Sequence, residues 1–387
     1  IINGLGGDDF LTPGNGADTV DGGAGFDTVR FATDGAVVLD GADQDEGDLE
    51  IDDASSDKNV VTNVDQLQFT VGLDIQGSGA NGSAADVAIL NRNMDGDLEL
   101  SSDTTANDLG SAITSGLSAE DVVLVQSATQ AASNPGAITT ADVEILGVNA
   151  GIAGDATSRN SGPESQLQLD DASGASADSV LDLQADGITV DGLTVDEGGS
   201  TSGMDLLITV GGNTNEKSVT IQNNIITAAG GNGIEGIVRD GTDVAIVHGG
   251  THDGDLTVTN NFFNKSGVGG IDDGSTGDTI IQDNTFDHTD AAVVIGHQDD
   301  TGEETTITGN DFEGTTNDTF ATINFSNTTN FDGSDKIEID VDQFRKDDGT
   351  LGTGLKIENE TGIQAADFDT TGDFLDGSAI IQEAGEH

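Results

Sequence analysis

Gly22-Gly23-Ala24-Gly25-Phe26-Asp27-Thr28-Val29-Arg30 decides how the start of this chain is read. Its order is G-G-x-G-x-D-x-U-x, where U is a large apolar residue. Pro13-Gly14-Asn15-Gly16-Ala17-Asp18-Thr19-Val20-Asp21 departs from that order only at the first glycine. Asn3-Gly4-Leu5-Gly6-Gly7-Asp8-Asp9-Phe10-Leu11 fits with Asn for the first glycine and one extra residue. The glycine half predicts a turn with backbone angles closed to other residues. The x-U-x half predicts a short strand, burying Phe10, Val20 and Val29. Turn carbonyls and the Asp carboxylate are hard oxygen donors of the kind that hold Ca2+. The candidate ligand-bearing residues are therefore Gly4, Gly6, Asp8, Gly14, Gly16, Asp18, Gly23, Gly25 and Asp27. Two nonapeptides make one coil, so Asp8 and Asp27 are expected on one side and Asp18 on the other. Ile1-Ile2 reads as the tail of a repeat, whose missing part, upstream or on a neighbouring molecule, would complete the Asp18 column.

These three nonapeptides resemble those of the RTX (repeats-in-toxin) family of secreted β-roll proteins. The likeness extends through Thr62-Asn63-Val64-Asp65-Gln66-Leu67-Gln68-Phe69, which is similar to the segment that closes such rolls. It covers about the first fifth of the chain. The resemblance implies ordering by extracellular calcium, type I secretion, and a place outside the cell or on its surface.

Further along, a different repeat takes over. Short apolar runs continue four times into the hexapeptide U-x-x-N-x-[I/F]: Ile221…Asn224…Ile226, Val258…Asn261…Phe263, Ile281…Asn284…Phe286 and Ile307…Asn310…Phe312. The asparagines lie 37, 23 and 26 residues apart, about one coil of a right-handed parallel β-helix, with a loop inserted in the longest. Stacking would bring them to about 4.8 Å, where their amides pair along a ladder and the flanking apolar residues face inward. The expected fold class is all-β, a calcium β-roll followed by a right-handed parallel β-helix, a solenoid of the pectate-lyase kind.

The organisation that follows is a roll with its closing segment over 1–75, a less regular β-rich stretch over 76–176, the β-helix over 177–335, and a C-terminal β cap or assembly segment over 336–387. Within 76–176, Asp86–Leu90, Asp121–Val125 and Asp142–Leu146 read as strands. Ala/Ser runs near 111–120 and 127–133 read as short helices. The stretch is either a separate small β domain or a set of early coils with long insertions.

Charge bounds the partners. Asp+Glu number 72 against 11 Lys+Arg, a formal net charge of −61. Such self-repulsion opposes compaction unless divalent cations or salt relieve it. Nucleic acid needs basic residues to neutralise its phosphates, so it is excluded as a partner, and no apolar run reaches the length of a membrane span. Cys is absent, which removes disulfides and thiolate chemistry. Tyr and Trp are absent too, leaving no phenolic base and no indole to stack on sugars. The best catalytic candidates are His297, Asp299 and Asp300 in Gly296-His297-Gln298-Asp299-Asp300, faintly similar to the Asp pair and Gly-His of β-helical polygalacturonases. That family draws these elements from different coils, and a polar turn explains the contiguous run more simply. His248-x3-His252 has metal-like spacing, but Gly249-Gly250 between them indicates a surface turn. The composite expectation is an extracellular calcium-dependent scaffold, such as a surface layer, filament or matrix protein, that assembles with copies of itself. A glycan- or cell-binding adhesin is the second reading, and a polysaccharide lyase, epimerase or hydrolase the third.

Overall fold

The computed structural model describes residues 1–32, 36–40, 49–53, 55–76, 87–92, 98–106, 108–132, 136–157, 159, 163–169, 179–196, 206–211, 218–227, 235–239, 254–264, 269–273, 277–287, 291–295, 304–314, 323–325, 336–339, 357–359 and 381–383. The chain is mostly β-strand, and most of its strand pairs are parallel.

The nonapeptides form stacked layers. Ile2–Asn3 runs parallel to Thr19–Asp21, which runs parallel to Lys58–Thr62. Opposite them, Phe10–Leu11 runs parallel to Thr28–Phe31, and that strand parallel to Gln66–Phe69. Ile2 faces Val20 and Phe10 faces Thr28, a step of 18 residues, or two nonapeptides. The next layer comes only after an excursion that includes the antiparallel pair Leu49–Asp52 and Lys58–Thr62. Val20, Val29, Phe31, Val61, Leu67 and Phe69 fill the interior, and the rings of Phe31 and Phe69 stack at 5.6 Å.

This register corrects the expected alignment of the first repeat by one residue. With Phe10 opposite Thr28, Asp9 rather than Asp8 stands in line with Asp27. Gly7, Gly16 and Gly25 become the equivalent glycines, with φ of 103°, 105° and 137°. Gly6 then sits at a variable position, paired with Ala24. Phe10, expected in the core, is 51% exposed, while Leu11 packs against the interior. Read from Gly4, the repeat needs no extra residue.

From Val122 to Ile339, successive described strands are dealt in rotation to three sheets, and the last two then both extend the third. Val122–Val125, Glu144–Leu146, Ile188–Asp191, Val219–Gln222, Leu256–Thr259, Thr279–Gln282, Glu304–Thr308 and Lys336–Ile339 follow one another in the first. Thr129–Ala132, Ser165–Leu169, Leu193–Asp196, Ile225–Thr227, Phe262–Asn264, Thr285–Asp287 and Asp311–Gly314 make the second. Ala137–Ile138, Ser179–Leu183, Leu206–Val210, Glu235–Arg239, Gly269–Asp273, Ala291–Ile295, Ile323–Phe325, Ile357–Asn359 and Ile381–Glu383 make the third. Every pairing within this rotation is parallel and joins a strand to its counterpart one rotation later. Alternate apolar residues turn to one continuous core, in which Phe263, Phe286 and Phe312 stack at 4.7 and 5.1 Å.

Thr129–Ala132, expected as helix, is a strand parallel to Ser165–Leu169, with Thr129 Oγ1 donating to Gln166 Oε1 at 2.9 Å. Its place beside a partner strand outweighs the helix propensity of alanine. The one helix among the described residues is Leu109–Ser115, where Asp108 caps the N-terminus by accepting from Ser111 N–H at 2.6 Å.

Two cores meet at the start of the first sheet. In Val122-Val123-Leu124-Val125, Val123 and Val125 face the long core, and Val122 and Leu124 face the core of the first 75 residues. An uninterrupted apolar run is what a strand covered on both faces requires. Val87–Arg92, antiparallel to that strand, divides its side chains the same way. Arg92 ties the junction, with Nε and Nη2 on Glu144 at 3.0 and 2.9 Å and Nη1 on Asp65 O at 3.0 Å.

Candidate metal centre

The nonapeptide turns place one column of carboxylates between layers. Asp9 N–H donates to Asp27 Oδ1 at 2.8 Å, and Asp27 N–H donates to Asp65 Oδ2 at 2.7 Å. Asp27 and Asp65 thus each spend one carboxylate oxygen on the layer before. The second oxygens of Asp9 and Asp27 are buried and have no hydrogen-bond partner, and Asp27 as a whole is 0% exposed. Glycine makes room beside both. A methyl group on Gly4 would lie 2.7 Å from Asp9 Oδ2 and collide with Gly22 O. One on Gly22 would lie 2.8 Å from Asp27 Oδ2 and collide with Asn63 O. Two stacked cradles result, each bringing a carboxylate oxygen near a turn carbonyl with no side chain between. An unpaired buried carboxylate oxygen is costly, and a hard cation is the partner that such a donor set suits.

The residues named from the sequence are distributed as follows. Asp27 lies in this column, while Asp8 lies beside it and accepts from Phe26 N–H at 2.9 Å. Gly23 and Gly25 sit in the same turn with positive φ, and methyl groups there would strike Leu5 and Gly7 backbone. Gly14, Gly16 and Asp18 occupy the other side, where Asp18 N–H donates to Asn59 Oδ1 at 3.2 Å. Among the described residues no three His, Cys, Asp or Glu side chains converge as a metal group, so backbone carbonyls must supply part of any ligand set. His297, Asp299 and Asp300 lie outside the described residues, as do His248 and His252.

Sequence reasoning missed Asp9, Asn63 and Asp65. The doublet Asp8-Asp9 admits two alignments, and the constant nine-residue spacing of Gly7, Gly16 and Gly25 was the signal that separates them. Asp65 is 38 residues from Asp27 because of the intervening excursion, so no fixed period finds it.

The asparagine ladder forms as expected. Asn224 N–H and Nδ2 both donate to Asn261 Oδ1, at 2.9 and 3.0 Å. Asn261 does the same to Asn284, and Asn284 to Asn310. Each Nδ2 also donates to a strand carbonyl: Val190 O, Ile221 O, Val258 O or Ile281 O. Before the rungs stand Asn223, Asn260, Asp283 and Gly309, all left-handed with φ of 56°, 56°, 54° and 66°.

Residues 147–157, 159, 163 and 164 run along this corner. Gly154 N–H donates to Asn260 O at 2.8 Å, and Thr285 Oγ1 to Asp155 Oδ2 at 3.1 Å. Buried Arg159 grips Glu164 bidentately, with Nε–Oε1 at 3.1 Å and Nη2–Oε2 at 2.7 Å. It also donates to the carbonyls of Ile152, Asn223 and Leu193. Beneath lies Asp191, 2% exposed, accepting from Gly151 N–H, Asn223 Nδ2 and Gln222 Nε2. Burial pushes its carboxyl above the ordinary aspartate value, against the pull of those donors and of Arg159.

The chain matches no protein-family model, no curated protein and no solved structure.

Proposed function

We propose that this chain is an extracellular, calcium-stabilised structural protein that assembles with copies of itself, built as an RTX-type β-roll leading into a right-handed parallel β-helix. The observation that carries the calcium reading is the pair of buried, partnerless carboxylate oxygens, Asp9 Oδ2 and Asp27 Oδ2, each set in a glycine cradle beside a turn carbonyl. Calcium, when bound, would supply positive charge between layers and accept the oxygens that the fold leaves unpaired. Asp9, Asp27, Gly22 O and Asn63 O are the groups on this chain that would hold it. The rotation of strands through three parallel sheets supports the β-helix, because such a chain advances one layer per rotation.

The extracellular assignment rests on charge and on the resemblance of the nonapeptides. A chain at −61 is relieved by divalent cations at the concentrations to which extracellular calcium modules are tuned, about 10⁻⁴ to 10⁻³ M. A structural role fits the commitment of Asn224, Asn261, Asn284 and Asn310 to a ladder between layers.

Electron microscopy of the purified chain in millimolar calcium and then in chelator tests the reading. Filaments or sheets that form with calcium and disperse without it are expected. Folded, unassociated molecules in both conditions would overturn the scaffold and turn attention to glycan binding.

A further inference from the structure

The two sides of the roll are not equivalent. On the Asp27 side, two buried carboxylate oxygens lack a partner. On the Asp18 side, the layer beneath the second nonapeptide is the hairpin of Leu49–Asp52 and Lys58–Thr62. There Gly16 N–H donates to Asp53 Oδ2 at 2.9 Å and Asp18 N–H to Asn59 Oδ1 at 3.2 Å. Asp53 Oδ1 is taken by Ser55 N–H and Asp57 N–H at 2.8 and 3.0 Å. Asn59 Nδ2 is taken by Ile51 O at 3.1 Å. Both side chains are buried, and neither leaves an unpaired buried oxygen.

The cradle residue differs too: Gly4 and Gly22, where a methyl group would strike Gly22 O and Asn63 O, have buried Pro13 as their counterpart in the second nonapeptide.

We infer that, among the described turns of the roll, the cation sites lie on the Asp9–Asp27–Asp65 side, and that between the second nonapeptide and its underlying layer the Asp53–Asn59 hairpin has taken the ion's place. This rests on the calcium reading above. Where a cation would accept oxygen donors, the second turn instead points an amide N–H at the Asp53 carboxylate. A carboxylate satisfied by three amides has little left to offer a metal. The hairpin makes that contact a permanent part of the fold, so one flank of the roll is held by protein alone and the other by ions.

Calcium titration calorimetry on the full chain, with thermal unfolding in calcium and in chelator, tests this. Asp27→Asn, and Asp9→Asn as a milder companion should the first not fold, are expected to weaken calcium binding at least tenfold and shrink the calcium-induced rise in Tm. Asp18→Asn is expected to leave the number of bound ions and that rise unchanged. Asp53→Ala is expected to lower Tm by the same amount with and without calcium. Loss of a bound ion in Asp18→Asn or Asp53→Ala would overturn the one-sided assignment while leaving the calcium reading intact. A chain that binds no calcium at all would overturn both.

Discussion

The asparagines of the corner are worth more than their single contacts suggest, because every rung is donor and acceptor at once. Asn261→Ala removes the acceptor for Asn224 N–H and Nδ2 and leaves Ile221 O and Asn284 Oδ1 short of a donor. Stranding buried polar groups costs about 1–3 kcal/mol each. A loss of about 3 kcal/mol is expected in chemical denaturation, since the strands on either side still pair. Asp191 makes the opposite kind of case. Its folded carboxyl takes a proton more readily than the unfolded chain's, which titrates near 3.8. The folded state therefore gains on the unfolded as pH falls from above the raised folded value toward 3.8. Asp53 runs the other way: backbone N–H groups, Gly16 first, hold it below 3.8, and its stabilisation is present above 3.8 and fades as pH falls through the lower folded value. Asp191→Asn should remove the acid-side gain and flatten the rise in stability as pH falls toward 3.8, relative to the parent chain. An unchanged slope would show that Asp191 is not the titrating group. Residue identity was legible where the repeat enforced it, as in Asn224, Asn261, Asn284 and Asn310, whose neighbours in sequence are also their environment in space. It was not legible for Arg159, which meets Asn223 across 64 residues and belongs to no period.

At the scale of elements, the segment formed by residues 147–157, 159, 163 and 164 braces several layers, reaching Asp191, Asn223 and Thr285. Arg159 is its anchor. The guanidinium fork reaches one carboxylate and three carbonyls, a geometry that lysine does not reproduce. Arg159→Ala is expected to cost about 3 kcal/mol, in line with breaking a buried ion pair from one side. Hydrogen exchange should quicken at the amides of Gly151 and Gly154 while Asn261 keeps its protection, and Arg159→Lys should not restore either. Uniform loss of protection along the chain would mean that the segment is no independent brace. The strands themselves were legible from alternation, yet Thr129–Ala132 was not, because Thr-Gln-Ala-Ala has no large apolar residue to set a pattern of burial. Asp121–Val125 announced a strand, but only the structure shows why all four of Val122, Val123, Leu124 and Val125 are apolar: a core lies on each side.

Across the whole molecule, most of the architecture came from two periods and one charge count. The nine-residue period predicted stacked layers, and the asparagine spacing predicted coils of unequal length held at one corner. What those periods could not convey is how the two halves join. Phe69 N–H donates to Val148 O, Leu98 N–H to Val64 O, and Ser127 Oγ to Leu73 O. These contacts belong to no repeat and follow only from packing one core against another. The excess of carboxylates read as a demand for cations, and the oxygens through which calcium is proposed to act, Asp9 Oδ2 and Asp27 Oδ2, are buried without a hydrogen-bond partner.

The left-handed step before each asparagine has a consequence for the history of such a chain. From Asn223 to Gly309 each turn between first and second sheets uses the same two-residue corner, while successive corners lie 37, 23 and 26 residues apart. The layers are bound along one edge like the leaves of a book, and leaves of unequal width can share a spine. Length can be gained or lost at the free margins without shifting a single rung. New surface chemistry is thus open to acquisition one leaf at a time, with the binding undisturbed.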